Sequence, residues 1–530
     1  MKKTAICIFL LVFLLLSLGT AGLEVTKINI RFGLMVRDMA DCGLRLFPTM
    51  NGVEYGDYPS LWILLSRLTS LNGKFLNLWT LSLPSLLLGA YTVAVTYCSG
   101  EMRGKGRGII AAALLLTAPQ FVDLMSGFGL DVPVMACGAT MLYLLQTERS
   151  ERRLCIAFAA LFCISFCVRG PMGSAVFSVA CGGALLFGER RLLRLFIPAG
   201  LAAALVCCGL WCCAVLYAGG AELWNWFLMC QIGSRFGGFA VFSNLGNAFF
   251  SYAPLTFLCL GAFLLRRDSG VLAAALRFGG FIFVPMILLS FSSSFHLRYL
   301  AVTLPAQALL AAEVWCGVPE KYRGMLSRLE RLCGRTAAVA ALLILCAAAC
   351  FLMPVSEVPF VHIGAGVLLI LLRNGILRGR LSGFRPLWGA AVFLVLGLSP
   401  FLAAMENSAA FAVAVERESR GRVLLYDMGP DHDDLKLLWN FAEKRRWTVY
   451  LYDSAPELRG FYCRMYPFRL LEEFLPELRT GDVFVLRNRE QERRRLLAAL
   501  GKRGFAVKTQ LEGKLGHRKY LALTVEERGK

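Results

Sequence analysis

Charge is scarce in this sequence. Only 17% of its 530 residues are Asp, Glu, Lys or Arg, against about a quarter in an ordinary soluble domain. Histidine is rarer still: His296, His362, His432 and His517 are scattered, and no Cys-x-x-Cys pair occurs. A structural zinc site needs clustered thiolate and imidazole ligands, so both absences count against one. No Gly-rich phosphate fingerprint follows a predicted strand, which leaves a nucleotide-binding loop without support. So few charges also exclude a disordered chain and a long coiled coil, whose solvated faces are built from them.

Apolar residues fill the space that charge leaves. They make up 57% of the chain, and the mean hydropathy is +0.60. That is more than a water-soluble core can hide, so lipid must be the solvent over much of the chain, which excludes a soluble enzyme. The 19 cysteines fit this picture. Most sit in apolar runs, as Cys207, Cys208, Cys212 and Cys213 do, where a thiol acts as a small hydrophobe.

A bilayer core takes about 20 apolar residues per helix. About thirteen stretches meet that rule, near 4–22, 76–98, 107–127, 130–147, 154–169, 171–188, 192–219, 245–265, 276–292, 298–317, 335–354, 357–373 and 385–405. The two short ones that meet at Arg169-Gly170 could instead form a re-entrant hairpin. Cations provide a separate test, because Lys and Arg concentrate in cytoplasmic loops. They do so in alternate loops: Arg103, Lys105 and Arg107; Arg149, Arg152 and Arg153; Arg190, Arg191 and Arg194; Arg266 and Arg267; Lys321 through Arg335; Arg378, Arg380 and Arg385. The intervening loops carry isolated cations only, Arg169, Arg235 and Arg298. With the N-terminus inside and an odd number of spans, the C-terminal region lies outside. A formal net charge of +20 is thus largely a topology signal, and no nucleic-acid partner is expected. The Met1-Lys2-Lys3 start with Gly19-Thr20-Ala21 also fits a cleaved secretory signal; later orientations would be the same.

Three regions are not spans. Residues 23–75 form a long first exterior loop, and 220–244 a second one with an aromatic, interfacial look. From about Glu406 the composition turns soluble, with 24 Lys and Arg against 19 Asp and Glu. Strands are predicted over 423–428, 449–453, 483–487, 505–509 and 520–525, with helices over 433–446 and 490–504 between them. The expected architecture is a polytopic α-helical membrane domain over 1–405, followed by a soluble α/β domain over 406–530.

The first exterior loop contains Arg37-Asp38-Met39, then Phe47-Pro48, Asn51-Gly52 and Asp57-Tyr58-Pro59. Leu130-Asp131-Val132-Pro133 follows, then Val168-Arg169-Gly170-Pro171, Arg235-Phe236, and a stretch from Arg298-Tyr299 through Pro305 to Leu310. These pieces, in this order, resemble the GT-C glycosyltransferases, in particular bacterial aminoarabinose (lipid A) transferases and protein O-mannosyltransferases. The family's acidic pair would fall near Ile28 and Asn29, neither of which can act as a base. At its acidic-Lys-Pro-Pro segment this chain keeps the carboxylate of Asp57 and lacks the lysine.

The resemblance implies a sugar donor on a polyprenyl phosphate, used at the exterior leaflet of a bacterial inner membrane, and a lipid A-like or other glycan or protein acceptor. Such transfer needs a carboxylate to take or orient the acceptor proton, and cations for the departing phosphate. Asp57, Glu24 and Asp131 are the acid candidates, with Asp123 near the same face. Arg169, Arg235 and Arg298, with Tyr58 and Tyr299, are the donor-binding candidates. The scheme requires no metal and no cofactor.

Each candidate also has a plainer explanation. Asp131 could cap the helix that Pro133 helps to start. The three arginines could snorkel to headgroups, Asp57 could fix a turn, and Glu24 could be merely solvated. His296 reads as a surface loop residue. Asp431, Asp433 and Asp434 read as the acidic start of a helix and not a metal site. Two other functions stay open, a transporter for a lipid-linked substrate and an inactive relative that only binds lipid phosphate. One-sided placement of the polar candidates and the lack of an internal repeat favour the enzyme over the transporter.

Overall fold

The computed structural model describes residues 2–20, 28–43, 45–50, 53–56, 58–125, 127–226, 241–253, 255–264, 269–292, 296–318, 409–419, 421–427, 448–452, 468–515 and 518–527, with the isolated positions 324 and 395. The last three predicted spans and the predicted helix 433–446 lie outside the described residues. Packing divides the chain into two units, Met1–Leu23 with Gly56–Phe401, and Glu24–Tyr55 with Leu402–Lys530. The sequence-based division at 405/406 keeps 23–75 as a loop of the membrane region; the charges of Arg31, Arg37, Asp38 and Asp41 fit a stretch that is no span.

The first unit is helical. After α1 (Lys2–Thr20), the chain forms α2 (Ile28–Cys42) and the paired strands β1 (Thr49–Met50) and β2 (Val53–Glu54), which belong to the second unit. The first unit resumes with α3 (Leu61–Thr69), α4 (Leu78–Arg103), α5 (Arg107–Leu116), α6 (Pro119–Met125), α7 (Asp131–Thr147), α8 (Glu151–Arg169), α9 (Pro171–Gly188) and α10 (Arg190–Trp226). It continues with α11 (Val241–Ser251), α12 (Leu255–Leu264), α13 (Ser269–Ser290), a 3-10 turn (Leu297–Thr303) and α14 (Leu304–Gly317). Ten predicted spans fall on these helices. Among the described residues, six helices are long and apolar enough to cross a membrane, or eight if two bent pairs each count once. One pair is α5 and α6, bent by 67° just before Pro119, whose ring and missing N–H cannot continue a helix. α8 and α9 are 19 and 18 residues long, about 27 Å each at 1.5 Å per residue, so Arg169-Gly170 joins two long helices.

Local sequence explains several boundaries. Asn77 caps α4 by accepting from the Thr80 N–H at 2.9 Å, and the Thr80 hydroxyl accepts in return from the Asn77 N–H. Ser150 caps α8 in the same way, accepting from Arg153. Lipid tails are as apolar as leucine, so close packing and not water exclusion must hold such helices together. Small residues allow it: a Cβ on Gly183 in α9 would lie 2.2 Å from the Gly280 carbonyl oxygen of α13. Among the long apolar stretches Leu297–Gly317, which ends in α14, is the most enclosed, whereas α10 turns Leu201, Leu205, Leu210 and Tyr217 outward. Outward leucines cost nothing where the surroundings are acyl chains.

In the second unit, α15 (Ala409–Glu418) precedes a sheet of β3 (Val423–Tyr426), β4 (Thr448–Tyr452), β5 (Phe468–Leu470), β6 (Val483–Arg487), β7 (Phe505–Leu515) and β8 (Arg518–Glu527). Its order is β5-β4-β3-β6-β8-β7, parallel through β6 and antiparallel beyond. β3 and β6 are buried along their whole length, as expected of parallel strands covered on both faces. Short α16 (Leu471–Phe474) and longer α17 (Glu490–Lys502) bring Phe474, Leu496 and Leu500 onto that core. All five predicted strands are present, and the helix predicted over 490–504 is α17.

Candidate functional site

Asp131 opens α7, but it does not cap it. The capping position is Leu130, which makes no side-chain bond, and the Asp131 carboxylate turns to two arginines instead. Arg169 Nε donates to Asp131 Oδ1 at 2.9 Å, and Arg298 Nε stands 3.7 Å from Oδ2. The plainer explanation of Asp131 as a helix cap is therefore not what the structure shows. Asp131 is 6% exposed and Arg169 4%, so each depends on the other. A buried charge without its partner is strongly unfavourable.

The backbone brings Arg169 to this point by a very short turn. Arg169 is the last residue of α8, Gly170 adopts φ +68°, and Pro171 is already the first residue of α9. Only glycine takes that conformation without strain, and proline suits a first helical position. Gly173 makes room as well, since a Cβ there would lie 2.5 Å from Arg169 Cβ and 2.6 Å from the Ser165 carbonyl oxygen. Arg298 comes from the 3-10 turn, which is held by the buried Tyr252 hydroxyl donating to the Leu297 carbonyl at 2.7 Å.

Three aromatic rings complete the group. The Arg169 guanidinium carbon lies 5.0 Å from the Tyr58 ring centre and 5.3 Å from that of Tyr299, and Arg298 lies 5.9 Å from Tyr299. His296 meets Tyr299 edge-on at 5.4 Å and is itself exposed, as its sequence context suggests. Aromatic faces attract guanidinium cations, whose planar shape suits stacking on them. The result is one carboxylate, two arginines and two stacked tyrosines, with one positive charge in excess. Arg298, with 27% of its side chain exposed, is the cation an incoming anion can reach. A narrow pocket beside the group is lined by Asp131, Arg169, Tyr299 and Val302.

Five of the eight candidate residues thus meet at one end of the bundle: Asp131, Arg169, Arg298, Tyr58 and Tyr299. Glu24, Asp57 and Arg235 lie outside the described residues, as do Asp431, Asp433 and Asp434. Asp123 sits exposed on α6. Among the described residues no group of three or more His, Cys, Asp or Glu is placed to hold a metal ion. Sequence reasoning missed Tyr252, which sits in an apolar stretch and owes its role to a carbonyl 45 residues away.

The family model described as dolichyl-phosphate-mannose-protein mannosyltransferase matches residues 59–217, the stretch that holds Asp131 and Arg169. No curated protein matches the sequence. Among solved structures the chain is similar to ArnT from Cupriavidus metallidurans. The form bound to undecaprenyl phosphate is 16% identical with a TM-score of 0.69, the match covering 98% of each chain. The apo form is 16% identical with a TM-score of 0.67, covering 99% of this chain and 98% of the other. The chain has the GT-C membrane glycosyltransferase fold, as the order of its sequence motifs implies, and it is a multi-pass membrane protein.

Proposed function

We propose that this protein is a glycosyltransferase that moves a sugar from a polyprenyl-phosphate carrier to a lipid A-like or other acceptor at the periplasmic face of a bacterial inner membrane. The observation that carries this reading is the buried Asp131–Arg169–Arg298 group with its stacked tyrosines. A net cation at the end of a membrane bundle suits a lipid-borne phosphate, and a structure of the same fold is described as bound to undecaprenyl phosphate. In the reaction the anomeric C–O bond to phosphate breaks as an acceptor oxygen attacks from the opposite face, inverting the anomeric carbon. Negative charge then grows on the departing phosphate. Arginines already oriented for it lower the barrier, because no reorganisation is needed when that charge appears.

The residues divide the work. Arg298 meets the phosphate, and Arg169 supports it from the buried side. Asp131 binds Arg169 and faces Arg298 at 3.7 Å, so its role is to position the arginines. The acceptor's proton goes to Asp57, the covalent neighbour of Tyr58, with Glu24 as the other acid candidate. Arg235 contributes a further cation to the donor phosphate. The test is a mass spectrum of membrane glycolipids from cells with and without the protein. A single added sugar mass that appears with the wild type and vanishes with Arg298→Ala supports this reading; identical spectra from wild type and null overturn it.

A further inference from the structure

The opposite end of the bundle holds a second site. A cleft of about 870 Å³, well within the range of small-ligand pockets, opens among the ends of α4, α5, α7, α8 and α10, beside α13. It is lined by Arg103, Arg107, Arg149, Arg191 and Arg277. Leu145 and Leu154 also line it, as do the acids Glu148, Glu151 and Glu189. The two leucines lie toward the far ends of α7 and α8 from Asp131 and Arg169, about 20 Å away along either helix at 1.5 Å per residue. The two sites are therefore separate.

Of the lining acids, Glu148 and Glu189 are engaged and Glu151 is exposed. Glu313, from beneath, pairs with Arg103 and Arg107, and Glu189 pairs with Arg277. Glu148 accepts from the Ser150 and Arg149 backbone N–H groups at 2.9 and 3.0 Å and faces Arg153 at 3.5 Å; these contacts hold its carboxyl below the usual carboxylate range. Arg149 and Arg191 are exposed, and among the described residues neither takes part in an ion pair. Immediately along the helices from this rim, Ile156, Phe187, Leu195 and Ile197 face outward, a surface suited to acyl chains.

We infer that this cleft binds the phosphate headgroup of an anionic membrane lipid, with Arg149 and Arg191 as its contacts and the lipid tails lying along α8, α9 and α10. Basic pockets between helix ends recognise such headgroups by charge, with each arginine adding a severalfold gain in affinity. The inference does not depend on the transfer reaction proposed for the other end.

Native mass spectrometry of the full chain in neutral detergent, titrated with phosphatidylglycerol or phosphatidylcholine, tests it. A phosphatidylglycerol adduct is expected that phosphatidylcholine does not match. It should weaken about tenfold or more in Arg149→Ala/Arg191→Ala, tighten in Glu151→Gln, and persist in Arg298→Ala. Equal retention of both lipids, an unchanged double variant, or loss in Arg298→Ala overturns the inference. Displacement of the lipid by millimolar glycerol phosphate would make the occupant a soluble phosphate and overturn the lipid assignment. The substituted side chains are exposed, so folding should survive; Glu151→Gln gives a gain of binding that misfolding cannot mimic.

Discussion

Each end of the helical bundle holds one carboxylate between two arginines, and the two triads differ in slack. Glu313 is 2% exposed and is gripped by Arg103 at 2.5 Å and by Arg107, from either side of the α4–α5 turn. The Phe278 ring backs Arg103 at 5.3 Å. Both arms are closed, so this triad works as a staple between α14 and that turn. Asp131 is closed on the Arg169 side only. Its second arginine stands 3.7 Å off and is stacked on Tyr299. Equal composition thus yields a structural clamp at one end and a cation with a free approach at the other. Whether both arms close, and not the count of charges, separates the two roles.

The comparison can be broken in four places. The largest expected effect is at the staple: Glu313→Gln should cost about 3–5 kcal/mol, because two arginines lose the acid they share. Denaturant unfolding in detergent reads this directly. Unchanged stability would end the staple reading, as would lost turnover in protein that remains folded. Next comes Arg298→Ala, which should lower transfer about 10²–10³-fold, the range for removing one oriented charge stabiliser, with little change in unfolding. Turnover within twofold of wild type would make the two ends equivalent.

Gly173→Ala should cost about 1–3 kcal/mol by forcing α9 away from Arg169. Its signature is a combined loss of stability and turnover, whereas crowding at the Gly183–Gly280 crossing should move stability alone. The smallest effect lies in the strand-rich C-terminal region. Arg469 donates to Glu477, and that hydrogen bond holds the Glu477 carboxyl below the usual carboxylate range. A folded-state value below the unfolded one adds stability above the unfolded value, about pH 4.3, and loses it as pH falls through the folded one. Glu477→Gln should therefore flatten a shallow acid limb of stability below about pH 4.3, and the two unfolding profiles should coincide in strong acid.

Much of the fold can be read from local pattern. Apolar runs place the described helices, and apolar five-residue strands such as Val483–Arg487 announce the sheet. β5 escapes because Phe468–Leu470 is three residues long, too short to show a period. Arg169 and Arg298 stand out as lone cations in loops where cations are rare, and Tyr58 and Tyr299 lie in the same motifs. Asp131 is more ambiguous, since an acid at a helix start suggests a cap until Arg169 is seen beside it. Glu313 carries no signal at all: it is a single acid in an apolar run, and Arg103 is 210 residues away.

The solvent, the helical class, the α/β character of the C-terminal domain and the loops that gather cations were determined by the sequence alone. All four follow from composition and short-range period, which survive without any knowledge of neighbours. Partnership was decided only by the tertiary structure. Asp131 meets an arginine 38 residues away and another on a distant turn, while Glu313 closes on two from the first third of the chain. Contacts of that separation depend on the order in which helices stand beside one another, and no local pattern encodes that order.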